Sequence, residues 1–130
     1  MSVAYLDASA IVKLIVKEPE SAALLAALKG MDHHVTSRIA TVEVMRAAAR
    51  RGRVNADRLR AVLDALDMIE LTEEVANRAG SMAPTGLRSL DAIHLASAMG
   101  IRRELTSFVV YDERLAHAAR RLGLPVMAPA

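Results

Sequence analysis

The sequence predicts a three-layer α/β/α sandwich built around a mostly parallel sheet. Short runs rich in Val, Ile and Leu alternate with longer Ala, Leu and Arg stretches that have helical spacing. The connections between the apolar runs are long enough to be crossover helices, which cover a parallel sheet on both faces. The chain has 130 residues, 53% hydrophobic and 25% charged, which is the size and balance of one ordinary domain. We therefore place no domain boundary within residues 1–130.

Five short apolar runs are predicted as strands. Three of them are rich in Val, Ile or Leu, and each of the five is followed by a stretch with helical periodicity or by the end of the sequence. In chain order, the predicted strands are residues 3–6, 33–37, 68–71, 105–111 and 125–127.

Helices are predicted between the strands, and glycine and proline set their ends. Pro19 disfavours helical geometry at the residue before it, so the first helix stops near Glu18. Gly30 and Gly52 are typical C-terminal stops for the next two helices, and Pro84 closes a later one. The predicted helices are residues 8–18, 20–29, 39–51, 55–66, 73–83, 90–99 and 113–122.

The composition excludes several kinds of site and compartment. The absence of Cys excludes disulfides, thiolate nucleophiles and zinc–thiolate centres, and favours a reducing cytoplasm. The first residues carry no basic segment before Asp7, and no uncharged run approaches the roughly 20 residues that cross a bilayer, so we expect no signal peptide and no membrane partner. Aromatic residues are only 2% of the chain, so any contact with nucleic acid is expected to be ionic.

Acidic residues follow two of the predicted strands, and a third acid begins a helix. Asp7 comes directly after the first strand, and Asp112 comes after a later one. Ligands of parallel α/β sheets bind at the carboxyl ends of the strands, where both acids are expected. Asp91 lies in the first turn of a helix, on the same stripe as Leu95 and Ala98, so its carboxylate continues an inward face.

Glu43 is the fourth candidate. It lies in the middle of the predicted helix 39–51, at the margin of a stripe formed by Val42, Met45 and Ala49. We expect that stripe to be buried, so the Glu43 carboxylate can also face inward.

Each acid also has a simpler explanation when it is taken alone. Asp7 and Asp112 precede helices and would make good N-caps. Asp91 in a first turn is favoured by the helix dipole, and Glu43 could pair with Arg46 on a solvated face. The occurrence of all four at inward or strand-end positions favours one shared pocket.

A shared carboxylate pocket indicates a divalent cation. Crowded carboxylates raise one another's pKa, and a divalent ion removes that repulsion. Oxygen ligands without Cys suit Mg²⁺ or Mn²⁺ better than zinc. Carboxylate-held Mg²⁺ supports phosphodiester hydrolysis, in which one ion activates water and a second can stabilise the leaving oxygen.

At these residues the chain resembles the PIN-domain ribonucleases, and more closely the VapC-type toxins of bacterial toxin–antitoxin pairs. The resemblance runs along the whole chain in family order, through residues 5–10 with 17–21, 41–44, 87–96 and 108–115. Its most specific segment is Leu90-Asp91-Ala92-Ile93-His94-Leu95-Ala96.

The resemblance implies a function for the acids. Asp7, Glu43, Asp91 and Asp112 would form a pocket that binds Mg²⁺ or Mn²⁺ and cleaves RNA, with Ser9 as a supporting hydrogen-bond residue. It also implies a homodimer, and neutralisation by a cognate antitoxin that inserts into the active-site groove.

One position departs from the family pattern. Two residues before the last acid, where many members carry Thr, Ser or Asn, this chain has Val110. A missing polar contact there bears on the geometry of Asp112 and on the rate. Retention of all four acids still implies activity.

Basic residues and a histidine lie close to the acids in the sequence. Arg46 and Arg50 fall within about 60° of Glu43 on a helical wheel, so both are candidates to bind RNA phosphates; a solvated face with ordinary ion pairs is the alternative. His94 is three residues after Asp91, but no second His accompanies it. We therefore interpret it as a helix histidine packed beside the site rather than as a metal ligand.

Two other functions are compatible with the pattern. A receiver-like phosphoacceptor domain shares the sandwich, the strand-end acids and Mg²⁺, but it needs a Lys near the end of a late strand, and this chain has Lys only at 13, 17 and 29. A PIN-like module without catalysis would serve only for binding, and Val110 is the feature in its favour.

The helices near the start of the chain are unusually apolar. Residues 8–16 and 21–28, with Met45 and Ala49, offer more apolar surface than one thin sheet needs. We expect part of it to bind an amphipathic segment of the antitoxin and part to bind a second copy of the chain.

Overall fold

A computed structural model describes all 130 residues and contains five strands and seven helices. The strands are β1 (Val3–Leu6), β2 (His33–Ser37), β3 (Asp67–Ile69), β4 (Ser107–Val109) and β5 (Val126–Met127). The helices are α1 (Ala8–Ile15), α2 (Ser21–Lys29), α3 (Ile39–Arg51), α4 (Ala56–Asp64), α5 (Glu73–Gly80), α6 (Ser89–Gly100) and α7 (Glu113–Arg121).

All strands are parallel and form one sheet in the order β3-β2-β1-β4-β5. Alternate residues of the central strand β1 point to opposite faces, as strand geometry requires. Val3 and Tyr5 join a core that α6 and α7 cover, and Ala4 and Leu6 join a second core that α1 to α4 cover. The predicted three-layer α/β/α architecture is confirmed.

The first helix ends earlier than predicted, at Ile15 rather than near Glu18. Val16 adopts an extended conformation with φ −112° and ψ 128°. The Ser21 hydroxyl donates to the Lys13 carbonyl at 2.7 Å, so it satisfies a carbonyl that a longer helix would have bonded internally. Pro19 therefore marks a limit that the helix does not reach.

Other element ends also differ from the prediction. α5 stops at Gly80 rather than at 83, because the Ser81 hydroxyl donates to the Asn77 carbonyl at 2.9 Å in the last turn. β4 is shorter than 105–111, because the Tyr111 amide leaves the sheet and donates to Ser9 Oγ at 3.0 Å. The remaining differences are shifts of one or two residues at the ends of α2, α4, α6, α7, β3 and β5.

The predicted buried stripe of α3 is wrong. Val42 is 53% exposed and Met45 44%, and Ala49 is exposed as well, whereas Ala40 and Val44 are fully buried. Alanine makes several faces of this helix nearly equal in hydrophobicity, so periodicity alone does not select the face that packs against α1. Glu43 still lines the cavity, because on the helix surface it lies next to Ala40 and Val44, the residues of the buried face.

No helix of the structure has the length and apolar character needed to cross a membrane.

Candidate active site

The four predicted acids line one cavity of about 300 Å³. It opens at the carboxyl edge of the sheet, where Asp7 follows β1 and Asp112 follows β4. Glu43 lies on α3 and Asp91 on α6. The full lining comprises Asp7, Ala8, Ser9, Glu43, Arg88, Ser89, Leu90, Asp91, His94 and Asp112.

Asp7 is both the N-cap of α1 and the most buried acid of the cavity. Its Oδ1 accepts hydrogen bonds from the Ala10 amide at 3.1 Å and from the Ser9 hydroxyl at 2.6 Å. The Ser9 oxygen in turn accepts from the Tyr111 amide at 3.0 Å. Ser9 therefore ties the end of β1 to the chain segment that follows β4, and it orients the Asp7 carboxylate.

Burial raises the pKa of Asp7 to about 6, although the Ser9 hydroxyl, the nearby His94 and backbone amides act in the opposite direction. The residue is only 4% exposed and forms no ion pair. The cavity therefore holds a deeply buried carboxylate whose negative charge is stabilised mainly by hydrogen bonds.

Asp91 and Asp112 share one arginine, which the sequence analysis did not identify. Arg88 Nε lies 3.2 Å from Asp91 Oδ2, and an Arg88 Nη lies 3.6 Å from Asp112 Oδ2. The hydrogen bond to Asp91 is the main reason that the pKa of Arg88 is raised. Asp112 is also the N-cap of α7, since its Oδ1 accepts from the Leu115 amide at 2.9 Å. The three-residue spacing of Arg88 and Asp91 was the available signal.

Glu43 pairs with His94 rather than with Arg46. His94 Nε2 lies 2.6 Å from Glu43 Oε1, and His94 Nδ1 lies 2.7 Å from the Tyr5 hydroxyl oxygen. His94 is 1% exposed and Tyr5 is fully buried. The histidine is packed beside the site, as expected, but the sequence did not indicate its contacts with Glu43 and Tyr5.

The donor set of the cavity fits Mg²⁺ or Mn²⁺. All four acidic groups are hard carboxylate oxygens, and a guanidinium already lies between two of them, so this part of the cavity accepts positive charge. No three His, Asp or Glu side chains are close enough to hold one ion together. Mg²⁺ does not need three, because it usually binds one or two carboxylates and keeps several waters.

A second, more basic cavity of about 470 Å³ adjoins the first and shares Ser9 and Asp112 with it. Lys13, Arg50 and Arg51 line it. Lys13 and Arg51 pair with Glu18, at 3.4 and 3.1 Å, whereas Arg50 forms no ion pair. Arg46 is exposed on α3 and lines neither cavity.

Val110 lies away from the acidic cavity. Its side chain is fully buried in the core that also contains Tyr5, Phe108 and Leu115. Its amide donates to the Met127 carbonyl at 3.1 Å, so it extends the pairing with β5. The Asp112 side chain is held by the Leu115 amide and by Arg88, and neither contact involves Val110.

Comparisons with known proteins agree on one family. Residues 4–121 match the PIN domain family. The chain is 45% identical over 130 residues to Ribonuclease VapC47 of Mycobacterium tuberculosis (strain CDC 1551 / Oshkosh), covering 96% of each chain. Its fold is similar to a toxin–antitoxin complex from Klebsiella pneumoniae (TM-score 0.73, 24% identity, 98% of each chain). It is also similar to the Mycobacterium tuberculosis VapC20 toxin (TM-score 0.72, 12% identity, 97% of this chain and 99% of that one). The chain belongs to the PIN-domain family and, within it, to the VapC ribonucleases.

Proposed function

We propose that this protein is a Mg²⁺-dependent endoribonuclease, with Mn²⁺ as an alternative ion, and that it acts as the toxin of a type II toxin–antitoxin pair. The observation that carries the proposal is the gathering of four carboxylates in one cavity at the carboxyl edge of the sheet. Membership of the VapC family supports RNA as the substrate.

In this proposal Asp7 and Asp91 are the principal metal ligands, and Glu43 and Asp112 complete the pocket. When bound, the ion supplies Lewis-acid activation of water and neutralises the charge that develops in phosphodiester hydrolysis. Ser9 and the Ala10 amide hold the Asp7 carboxylate in place. Glu43 Oε2 makes no hydrogen bond within the protein, so it is available to accept a proton from the attacking water.

The test compares wild type with Asp91→Ala, with Asp57→Ala on the exposed face of α4 as the matched control. We expect induced wild type and Asp57→Ala to arrest growth and Asp91→Ala to be tolerated. The purified wild type should cleave RNA with Mg²⁺ and stop when EDTA is added. Equal arrest by all three, or cleavage that EDTA does not affect, would contradict the proposal.

We further propose that Arg46 and Arg50 bind RNA phosphates, with the larger contribution from Arg50. Arg50 lines the cavity that continues from the acids, and its guanidinium has no competing carboxylate partner. A bidentate guanidinium suits a phosphate, and few aromatic side chains are present to stack with bases.

Arg50→Ala is expected to weaken RNA binding and to reduce the slope of log Kd against log salt by roughly 0.7 to 1, the share of about one phosphate contact. Fluorescence anisotropy with labelled single-stranded RNA at several salt concentrations measures both quantities. Arg103→Ala is the matched control, because Arg103 is exposed in the turn before β4, at the opposite edge of the sheet. An unchanged slope for Arg50→Ala would refute this RNA contact.

The proposed partners are a cognate antitoxin and a second copy of the chain, in the cytoplasm. A fold neighbour is described as a toxin–antitoxin complex. Exposed apolar side chains on α2 and α3 support such contacts: Leu25 is 42% exposed, in addition to Val42 and Met45.

The alternative of a PIN-like binding module without catalysis has little support left. The feature in its favour was Val110, and that side chain is buried in the core rather than facing the acids. A receiver-like activity still lacks its Lys, since Lys13, Lys17 and Lys29 all precede β2.

A further inference from the structure

We propose that His94 is a positioning residue for Glu43, and that the buried hydroxyl of Tyr5 holds the His94 imidazole in the tautomer that donates to the Glu43 carboxylate. This inference rests on the proposed function, because it gives a role to the side chains that hold Glu43, one of the four acids.

Three side chains form one continuous hydrogen-bonded chain from the core to the cavity. The contacts are 2.7 Å from the Tyr5 oxygen to His94 Nδ1 and 2.6 Å from His94 Nε2 to Glu43 Oε1. The partners are 89 and 51 residues apart in the sequence, so the chain joins β1, α6 and α3. Of the three, only Glu43 has appreciable solvent exposure, with 21% of its side chain accessible.

The direction of the hydrogen bonds follows from the chemistry at the two ends. An ionised Glu43 carboxylate can only accept, so Nε2 must carry a hydrogen. A phenol ordinarily keeps its proton at neutral pH, so the Tyr5 hydroxyl can donate to an unprotonated Nδ1. Of the two neutral tautomers, the one with hydrogen on Nε2 is therefore the form that satisfies both contacts.

Packing restricts the movement of the two rings that stand behind Glu43. The Tyr5 ring is stacked on Phe108 with centroids 5.2 Å apart and planes 5° apart. The His94 ring meets Tyr5 edge-on, at 5.8 Å and 83°. A carboxylate held by a ring that is itself clamped in the core has a narrower range of orientations than one held by a surface side chain.

The first test reads the tautomer directly, without any need for activity. In ¹⁵N-histidine-labelled wild type at neutral pH, long-range ¹H–¹⁵N correlation spectra should show His94 protonated on Nε2 and unprotonated on Nδ1. His94→Gln identifies its signals among the four histidines. Tyr5→Phe removes the donor to Nδ1 and should shift the Nδ1 resonance of His94, whereas Tyr111→Phe, which removes the other tyrosine hydroxyl, should leave the spectrum of His94 unchanged.

The second test separates positioning from general stability. His94→Leu is expected to lower kcat by roughly 10-fold or more with little change in KM, in line with the usual effect of groups that orient metal ligands. His94→Gln should recover part of that loss, because a Gln amide can donate from about the position of Nε2. The double variant of His94→Leu with Glu43→Gln should be little worse than Glu43→Gln alone, because His94 acts through Glu43.

The outcomes distinguish this inference from the proposed function. Hydrogen on Nδ1 in the wild type, no response to Tyr5→Phe, or fully multiplicative effects of the His94 and Glu43 variants would overturn the positioning role while leaving the nuclease intact. Failure of the wild type to cleave RNA would refute the proposed function. The tautomer spectra would still show which nitrogen of His94 carries hydrogen.

Discussion

Asp7→Asn is expected to lower the rate of metal-dependent RNA cleavage by at least roughly 100-fold, the upper end of what losing a group that merely orients a metal ligand costs. The substitution removes the charge but keeps an oxygen that can accept from the Ala10 amide and the Ser9 hydroxyl. Asn is also a good N-cap, so α1 should still begin at Ala8. The loss would therefore report the carboxylate charge rather than a damaged fold.

Single-turnover cleavage of a labelled RNA measures this effect, and calorimetric titration with Mn²⁺ measures the accompanying loss of metal affinity. Asp57→Asn is the control, since it makes the same chemical change on the exposed face of α4. If Asp7→Asn cleaved RNA within a few-fold of the wild-type rate, Asp7 would not be a principal metal ligand.

The second large effect concerns the stability of the metal-free protein. Burial raises the pKa of Asp7 from 3.8 to about 6. Between these two values the folded protein holds a proton at Asp7 that the unfolded chain has released, so the free energy of unfolding falls as the pH rises. The stabilisation from protonated Asp7 is complete below about pH 4 and is lost as the pH passes through about 6, a change of roughly 3 kcal/mol.

Urea denaturation of wild type and Asp7→Asn in EDTA, at several pH values from about 4 to 8, isolates this contribution. The stability of the variant relative to wild type should rise across the interval and level off above about pH 6. Adding Mg²⁺ near neutral pH should raise the stability of wild type more than that of the variant, because a ligand of the folded state stabilises it by mass action. A difference that does not vary with pH would contradict the raised pKa.

The sequence predicted the architecture well where local signals and packing agree. The bounds of β1 and α3 are as predicted, since an apolar run defines the first and Gly52 ends the second. The end of α1 was misplaced because the signal that terminates it is the Ser21 hydroxyl, which reaches back to Lys13. A serine gives no sequence sign of which carbonyl it will bind.

The candidate site was predictable as a set of acids but not as a network. Parallel topology brings Asp7 and Asp112 to one edge of the sheet, and helical spacing turns Asp91 inward. The contacts among Tyr5, His94 and Glu43 join residues that are distant in the sequence, and no periodicity encodes them. The buried face of α3 was wrong for a related reason, because an alanine-rich helix offers several similar faces.

Asp7 and Asp112, the two strand-end acids, each cap a helix and also line the cavity. Because each residue both caps a helix and lines the cavity, few substitutions at these two positions preserve the stability of the fold. A change to Ala or Val at either position removes a helix cap, at a cost of about 1 kcal/mol, in addition to a charge. Substitution by Asn, Ser or Thr would remove the carboxylate charge with the smallest loss of stability, because these residues also cap helices. We therefore expect relatives without nuclease activity to keep small polar residues at the positions of Asp7 and Asp112.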